Sequence, residues 1–329
     1  MKNKKINLIF LIAGAVILTL LLWDFGMDNL WQNIQKTGWW LLPIIGIWLI
    51  IYILNAQAWR IIIGKSTPVS FFKLLSLKIT GFSINYLTPV VGLAGEPWKI
   101  LNIKHFIGVE KASSSVILYN MMHILSHFYF WATAIILLFI STRLPVAAII
   151  VLGITLALLI GIIGLFYVWY SKGVVFSLLN ILRSIPGMKK IVASIESNTE
   201  TLHDIEQQIV GLYTKRRGSF YSSLAIEYAA RVIGVLEFYF IMKAISFDIS
   251  ILEAIYISAA SSLLANIFFF IPLQLGTREG SLYLVYESLK LTPALGIFVS
   301  LVTRIREFFW IIIGLILLKI DTPSNINTK

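Results

Sequence analysis

What most constrains this chain is a succession of apolar runs, each about 18 to 28 residues long. At 1.5 Å rise per residue, such runs cross a hydrocarbon core roughly 30 Å thick. A soluble globule of 329 residues needs more polar surface than this sequence owns, because 58% of its residues are hydrophobic and only 13% charged. Lipid is therefore the expected outer solvent. The fold class that follows is all-α: a polytopic integral membrane helical bundle.

The chain contains no cysteine, which removes disulfides, thiolate nucleophiles and thiolate metal sites together. Its formal net charge of +11 would suggest nucleic acid as the partner of a soluble protein. Here the Lys and Arg lie mainly in loops between apolar segments, a pattern that points to orientation and anionic headgroups and excludes nucleic acid.

Lys2, Lys4 and Lys5 precede an apolar run from Ile6 to Trp23 with no small-residue cleavage site behind it, so a retained first span is expected. Further spans are expected over about Trp39 to Ile63, Ala112 to Ile140, Pro145 to Tyr170, Ser219 to Lys243 and Pro293 to Ile320. With the N-terminus in the cytoplasm, about 19 of the 27 Lys and Arg fall inside. That bias predicts a multi-pass protein of the plasma membrane with a cytoplasmic N-terminus. The polar stretch 171–218 reads as a cytoplasmic connector, with Ile191, Ile195, Leu202, Ile205, Ile209 and Leu212 at amphipathic helical spacing, and 321–329 reads as a tail.

Two apolar stretches do not look like simple spans, and they resemble each other. In the first, Asn85 is followed by Pro89, Gly92, Gly95, Glu96 and Lys99; in the second, Asn266 is followed by Pro272, Gly276, Arg278 and Glu279. In both, the Glu stands seven residues after the Pro. Proline removes an N–H and blocks the helix behind it, while glycine permits a sharp turn. Backbone freed at membrane depth is tolerated only against protein or a water-filled cavity. A helix restarting at Glu96 or Glu279 would aim its N–H groups at that cavity, where an anionic group could sit. The charge bias brings one hairpin in from each side. The expectation is thus two re-entrant broken-helix hairpins in an inverted repeat, with a substrate site near the midplane. Two proline-kinked spans that share a spacing are the alternative.

Ionisable residues inside the spans extend this constellation. Glu227 and Arg231 stand four apart, in the favourable order for one helix face, and Glu237 lies further along. Arg304 and Glu307 stand three apart, with Arg306 on another face. At about 2.5–3.5 kcal/mol each on insertion scales, such charges are expected to face inward and to pair or line a polar path. Arg60 either snorkels to the interface or binds headgroups. Asn120, His123 and His127 share a helix face without a carboxylate beside them, so interhelical hydrogen bonds are expected there rather than a metal site. No Walker A, Gly-x-Ser-x-Gly or dinucleotide fingerprint occurs, and no cofactor is expected.

The Asn85 to Glu96 stretch, the Pro272 to Gly280 stretch, the Trp59-Arg60 helix end and the number of spans resemble the transmembrane domain of bacterial lysylphosphatidylglycerol synthases. The same domain stands alone in the flippase-like membrane proteins of uncharacterised protein family 0104. The resemblance covers nearly the whole chain and implies one flippase-like transmembrane domain over 1–329. It also implies lipid handling, namely movement of a phospholipid or an aminoacylated or other polar-headgroup lipid between leaflets. In the synthases a separate soluble domain transfers the aminoacyl group from tRNA, so a lysyltransferase activity is not carried over to these residues. Glu96 and Glu279 would attract a cationic headgroup, and Lys99, Arg278, Arg231 and Arg304 would hold the phosphate. Membrane lipids are the expected partners, with a lipid synthase or glycosyltransferase as candidate protein partner. A membrane-embedded transferase using Glu96 or Glu279 as general base is the rival reading.

Overall fold

A computed structural model describes residues 27–64, 67–88, 94–184, 199–267 and 277–320. The expected first span, Pro89, Gly92, Pro272, Gly276, Ile191, Ile195 and the tail lie outside the described residues. Within them the chain is helical, with no strand. The order is α1 (Met27–Thr37), a 3-10 turn (Gly38–Trp40), α2 (Leu41–Ile63), α3 (Phe71–Leu87), α4 (Gly95–Ile107), α5 (Val109–Ser141) and α6 (Val146–Lys172). There follow α7 (Val175–Arg183), α8 (Thr199–Lys215), α9 (Arg217–Ala244), α10 (Ile251–Ile267), α11 (Thr277–Ser288) and α12 (Pro293–Ile320).

Among the described residues, three stretches are long and apolar enough to cross a membrane: Ile34–Ile63, Val109–Ser141 and Val146–Ser171. In the last of these, only 6% of the most apolar window is buried within the protein, so α6 presents apolar side chains on nearly every side and lipid is its solvent. Helices α9 and α12, with 28 residues each, reach about 42 Å, also enough to span. Each carries charged residues mid-length, and their burial is what the site is built from.

The chain divides into two compact units: residues 1–53, 72–99 and 232–329 form one, and residues 54–71 and 100–231 the other. In the first unit, α3 and α12 meet along a close seam. Tyr52, Ile79 and Trp310 form one buried cluster, and Leu87, Phe308 and Ile311 another, with Phe82 and Tyr86 packed against them. Gly314 makes the seam possible: a Cβ there would fall on the Ser83 hydroxyl and 2.9 Å from the Ile79 carbonyl oxygen. Ser83 Oγ lies 3.1 Å from that carbonyl and 3.3 and 3.4 Å from the Ile311 and Trp310 carbonyls of α12, so its hydroxyl can donate within its own helix or across the seam. Helix α11 packs against both α10 and α12, and α1 against α12.

In the second unit, α5 is flanked by α6 and α8. Leu202, Ile205, Ile209 and Leu212 are all buried, so the amphipathic face of α8 meets the bundle. An aromatic cluster of Tyr170, Tyr213 and Phe220 ties α6, α8 and the start of α9 together, with ring centroids 4.9 Å apart for Tyr170 and Phe220. Two side chains close helix ends. Glu206 Oε2 accepts from the Val175 and Phe176 N–H groups at the start of α7, and Arg216 donates to the Ile61 and Ile62 carbonyls at the end of α2.

Gly314→Ala is expected to overpack the seam and cost about 1–3 kcal/mol. Gly161→Ala, where an added Cβ meets nothing within 4 Å, should leave stability unchanged or raise it. Thermal unfolding of the two purified variants in detergent checks the contrast.

Candidate functional site

The first motif forms a hairpin in the first unit. Asn85 Oδ1, near the end of α3, accepts the Gly95 N–H at 2.6 Å, so the side chain of one helix caps the start of the next. The Asn85 amide donates to Glu96 Oε1 at 3.3 Å. Glu96 in turn holds Lys99, whose Nζ lies 2.7 and 2.9 Å from its two carboxylate oxygens. Two glycines permit this closeness. A Cβ on Gly95 would meet the Gly81 carbonyl and come within 2.8 Å of Asn85 Oδ1, while one on Gly81 would lie 2.6 Å from Lys99 Cε. Residues 85 and 81 thus face 95 and 99 in reverse order, which is antiparallel packing of α3 and α4.

The second motif is arranged differently. Asn266 donates to the Ser262 carbonyl of its own helix and is exposed, so the likeness between the two stretches does not extend to their asparagines. Helix α11 begins at Thr277, and its next two residues turn to α12. Arg278 Nη1 lies 2.7 Å from Glu307 Oε2. Glu279 Oε1 accepts from Arg304 Nε at 2.8 Å and from Ser300 Oγ at 3.0 Å. Arg304 also donates through Nη1 to the Tyr86 hydroxyl at 3.4 Å. One guanidinium therefore joins the last turn of α3 to the first turn of α11.

A third arginine extends the chain of charges. Arg306 donates to both oxygens of Glu237 at 2.8 and 3.3 Å, and its Nη1 lies 3.7 Å from Glu307 Oε1. Trp48 serves both partners, with its Nε1–H donating to Glu237 at 2.8 Å and its ring centroid 3.8 Å from the guanidinium. Glu237, Arg304, Arg306 and Glu307 are all buried. In such surroundings a lone charge is far costlier than a hydrogen-bonded pair, and each arginine here has its carboxylate.

The second unit holds a separate polar cluster. Glu227 is fully buried; its Oε1 accepts from the Asn55 amide at 3.0 Å and its Oε2 lies 2.7 Å from His123 Nδ1. Arg231 Nη2 lies 2.6 Å from His123 Nε2 and 2.9 Å from Nδ1, and its Nε donates to Ser126 Oγ at 3.4 Å. The spacing of Glu227 and Arg231 does put them on one face, and the imidazole of α5 touches both. Among the described residues, no group of three or more His, Asp or Glu is placed to hold a metal ion.

Of the residues singled out in the sequence, Asn85, Gly95, Glu96 and Lys99 come together, as do Arg278, Glu279, Arg304 and Glu307. Glu227 and Arg231 gather in the other unit. Arg304 turns to Glu279, and Glu307 to Arg278, although the two residues stand three apart on one helix. Sequence reasoning left out Trp48, Asn55, Tyr86 and Ser300 altogether. It left Glu237, Arg306 and His123 outside the site. Charged residues in an apolar helix announce themselves, whereas a Trp, Tyr or Ser that partners one looks like any other residue of a membrane helix.

The model of the family described as Lysylphosphatidylglycerol synthase TM region matches residues 7–314, and the chain belongs to this family. No curated protein and no solved structure matches it.

Arg306→Met should leave Glu237 buried without its main partner and cost about 3–5 kcal/mol. The double variant Arg306→Met with Glu237→Met removes the stranded charge and is expected to recover most of that loss. A double-mutant cycle by thermal or denaturant unfolding reads the coupling.

Proposed function

We propose that this member of the lysylphosphatidylglycerol synthase TM region family is a lipid translocase. In this reading the polar interior carries an anionic or zwitterionic headgroup between leaflets, while the acyl chains stay in lipid. The family itself places the chain among membrane proteins of lipid modification or transport. What supports the finer reading is Arg304, buried and held between Glu279 at the start of α11 and Tyr86 at the end of α3. A guanidinium paired with a carboxylate offers the same fork geometry to a phosphate, so a lipid phosphate replaces Glu279 or Glu307 on Arg304 or Arg278 by exchange of one anion for another. The released carboxylate then receives the cationic part of an aminoacylated or zwitterionic headgroup. Glu96 with Lys99 supplies a second such pair at the start of α4. No step requires ATP.

The setting proposed is the plasma membrane, multi-pass, with a cytoplasmic N-terminus; membrane lipids are the partners, and a synthase that makes the headgroup is the natural supplier. Since the chain has no cysteine, single substitutions report sidedness directly. A membrane-impermeant maleimide added to intact cells should label Arg143→Cys and spare Lys215→Cys, and the reverse pattern would invert the orientation.

The test of translocation is a flipping assay in proteoliposomes with fluorescent phosphatidylglycerol and aminoacylated phosphatidylglycerol. Glu279→Gln and Arg278→Ala should each slow lipid movement by about tenfold or more if each contributes roughly 1.4 kcal/mol to the headgroup in transit. Wild-type rates in both variants, with the protein intact, contradict the assignment. A lipid product of altered mass would instead indicate a transferase.

A further inference from the structure

We propose that His123 is a proton-binding site whose protonation frees Arg231 for a phosphate anion, so that proton and anion enter the second unit together. The inference takes from the preceding section only the class of anion; its geometry stands on α5 and α9.

The imidazole sits between two opposite charges. Glu227 Oε2, at 2.7 Å from Nδ1, is a strong acceptor with no exposure of its own, so the ring hydrogen belongs on Nδ1. Nε2 is then unprotonated, and Arg231 Nη2 lies against the ring, 2.6 Å from Nε2 and 2.9 Å from Nδ1. This arrangement holds only while the ring is neutral. A proton from water that forms an Nε2–H bond makes the ring a cation, and two cations are left facing each other. The imidazolium stays on Glu227, while the guanidinium, repelled by the ring and held by Ser126 Oγ, is open to a further anion. No electrons move, and the proton returns to water when the anion leaves.

Charge balance points the same way. With His123 neutral, Glu227 and Arg231 cancel. An anion added to that set leaves one negative charge uncompensated in a low-dielectric interior, whereas an anion added with a proton leaves none. Several groups face this cluster. From α9 come Glu227 and Arg231, and from α5 itself come Tyr119, with its hydroxyl 3.4 Å from Nδ1, and His127, with its ring 5.5 Å away and edge-on. Helix α2 brings the neutral Asn55 to Glu227. The His123 side chain is 34% exposed while that of Glu227 is sealed. His127 Nδ1 is buried without a hydrogen-bond partner, an unsatisfied polar atom beside the ring that a relayed proton or a water would satisfy.

The experiment is 15N NMR of histidine-labelled, full-length protein in phosphatidylcholine bilayers, with the His123 signal assigned by its loss in His123→Gln. Neutral His123 should carry its hydrogen on Nδ1, and lowering the pH from about 8 to about 5 should yield the doubly protonated ring. At a fixed pH between these limits, exchanging part of the phosphatidylcholine for phosphatidylglycerol should raise the ratio of protonated to neutral His123 by about fivefold or more. An anionic surface also concentrates protons on exposed groups, so the exposed His203 measures that general effect. Arg231→Gln should reduce the response of His123 to that of His203. A second arm adds inorganic phosphate to pure phosphatidylcholine bilayers: a response there makes the anion a soluble phosphate, and a response to phosphatidylglycerol alone makes it a headgroup. A ring that does not titrate, or a response of His123 that equals that of His203 in the wild-type protein, or one that persists in Arg231→Gln, overturns the proposal. None of these readings requires lipid to move, so a failed flipping assay and a failed titration remain distinct results.

Discussion

A charge inside a membrane protein has no water to fall back on, and the architecture here follows from meeting that need. Arg278, Arg304 and Arg306 each reach a glutamate on a different stretch of chain, and each pairing draws helices together: α11 to α12 twice, and α9 to α12 once. The pairs are poor investments in stability by themselves, since well-packed apolar residues of the same volume would often do as well. The proposed function gives them a further role, exchange with a competing anion.

Packing without bulk is the second element. Gly314 lets α12 lie against Ser83, and Gly81 and Gly95 let α4 fold back onto α3 so closely that one asparagine caps the returning helix. Between helices in lipid there is little hydrophobic gain in association, so close backbone approach and side-chain hydrogen bonds carry the specificity. These small residues fix where the charged ones sit. Tyr86 reaches Arg304 because α3 lies close on α12, and Lys99 reaches Glu96 across the space left free at Gly81.

Much of this was legible in the sequence, for reasons that also explain the rest. Span lengths follow from bilayer thickness, so α2, α5, α6, α9 and α12 fall close to the segments expected from apolar runs. Asn85, Gly95 and Glu96 of the first motif come together, whereas Pro89, Gly92, Pro272 and Gly276 lie outside the described residues. Pairing was not legible, because register along a helix says which residues share a face and not which neighbour that face meets. Arg304 and Glu307 look like partners at a spacing of three, yet α11 offers each a better one. The two asparagines look equivalent by position, yet one bridges helices and the other turns back on its own. His123 looked like half of a metal site or a routine interhelical hydrogen bond, and its place between Glu227 and Arg231 depends on how α5 packs with α9.

Function then reduces to a question of exchange. In the proposed function, the pairs of Arg278 with Glu307 and of Arg304 with Glu279 are the resting form of a headgroup path, and a lipid phosphate takes the place of the carboxylate. The most direct measurement is an electron cryomicroscopy structure of the protein in nanodiscs containing phosphatidylglycerol. The account predicts phosphate density within hydrogen-bonding distance of Arg304, with the Glu279 carboxylate moved off it. An intact contact between Arg304 and Glu279, with lipid confined to the outer surface, would contradict it.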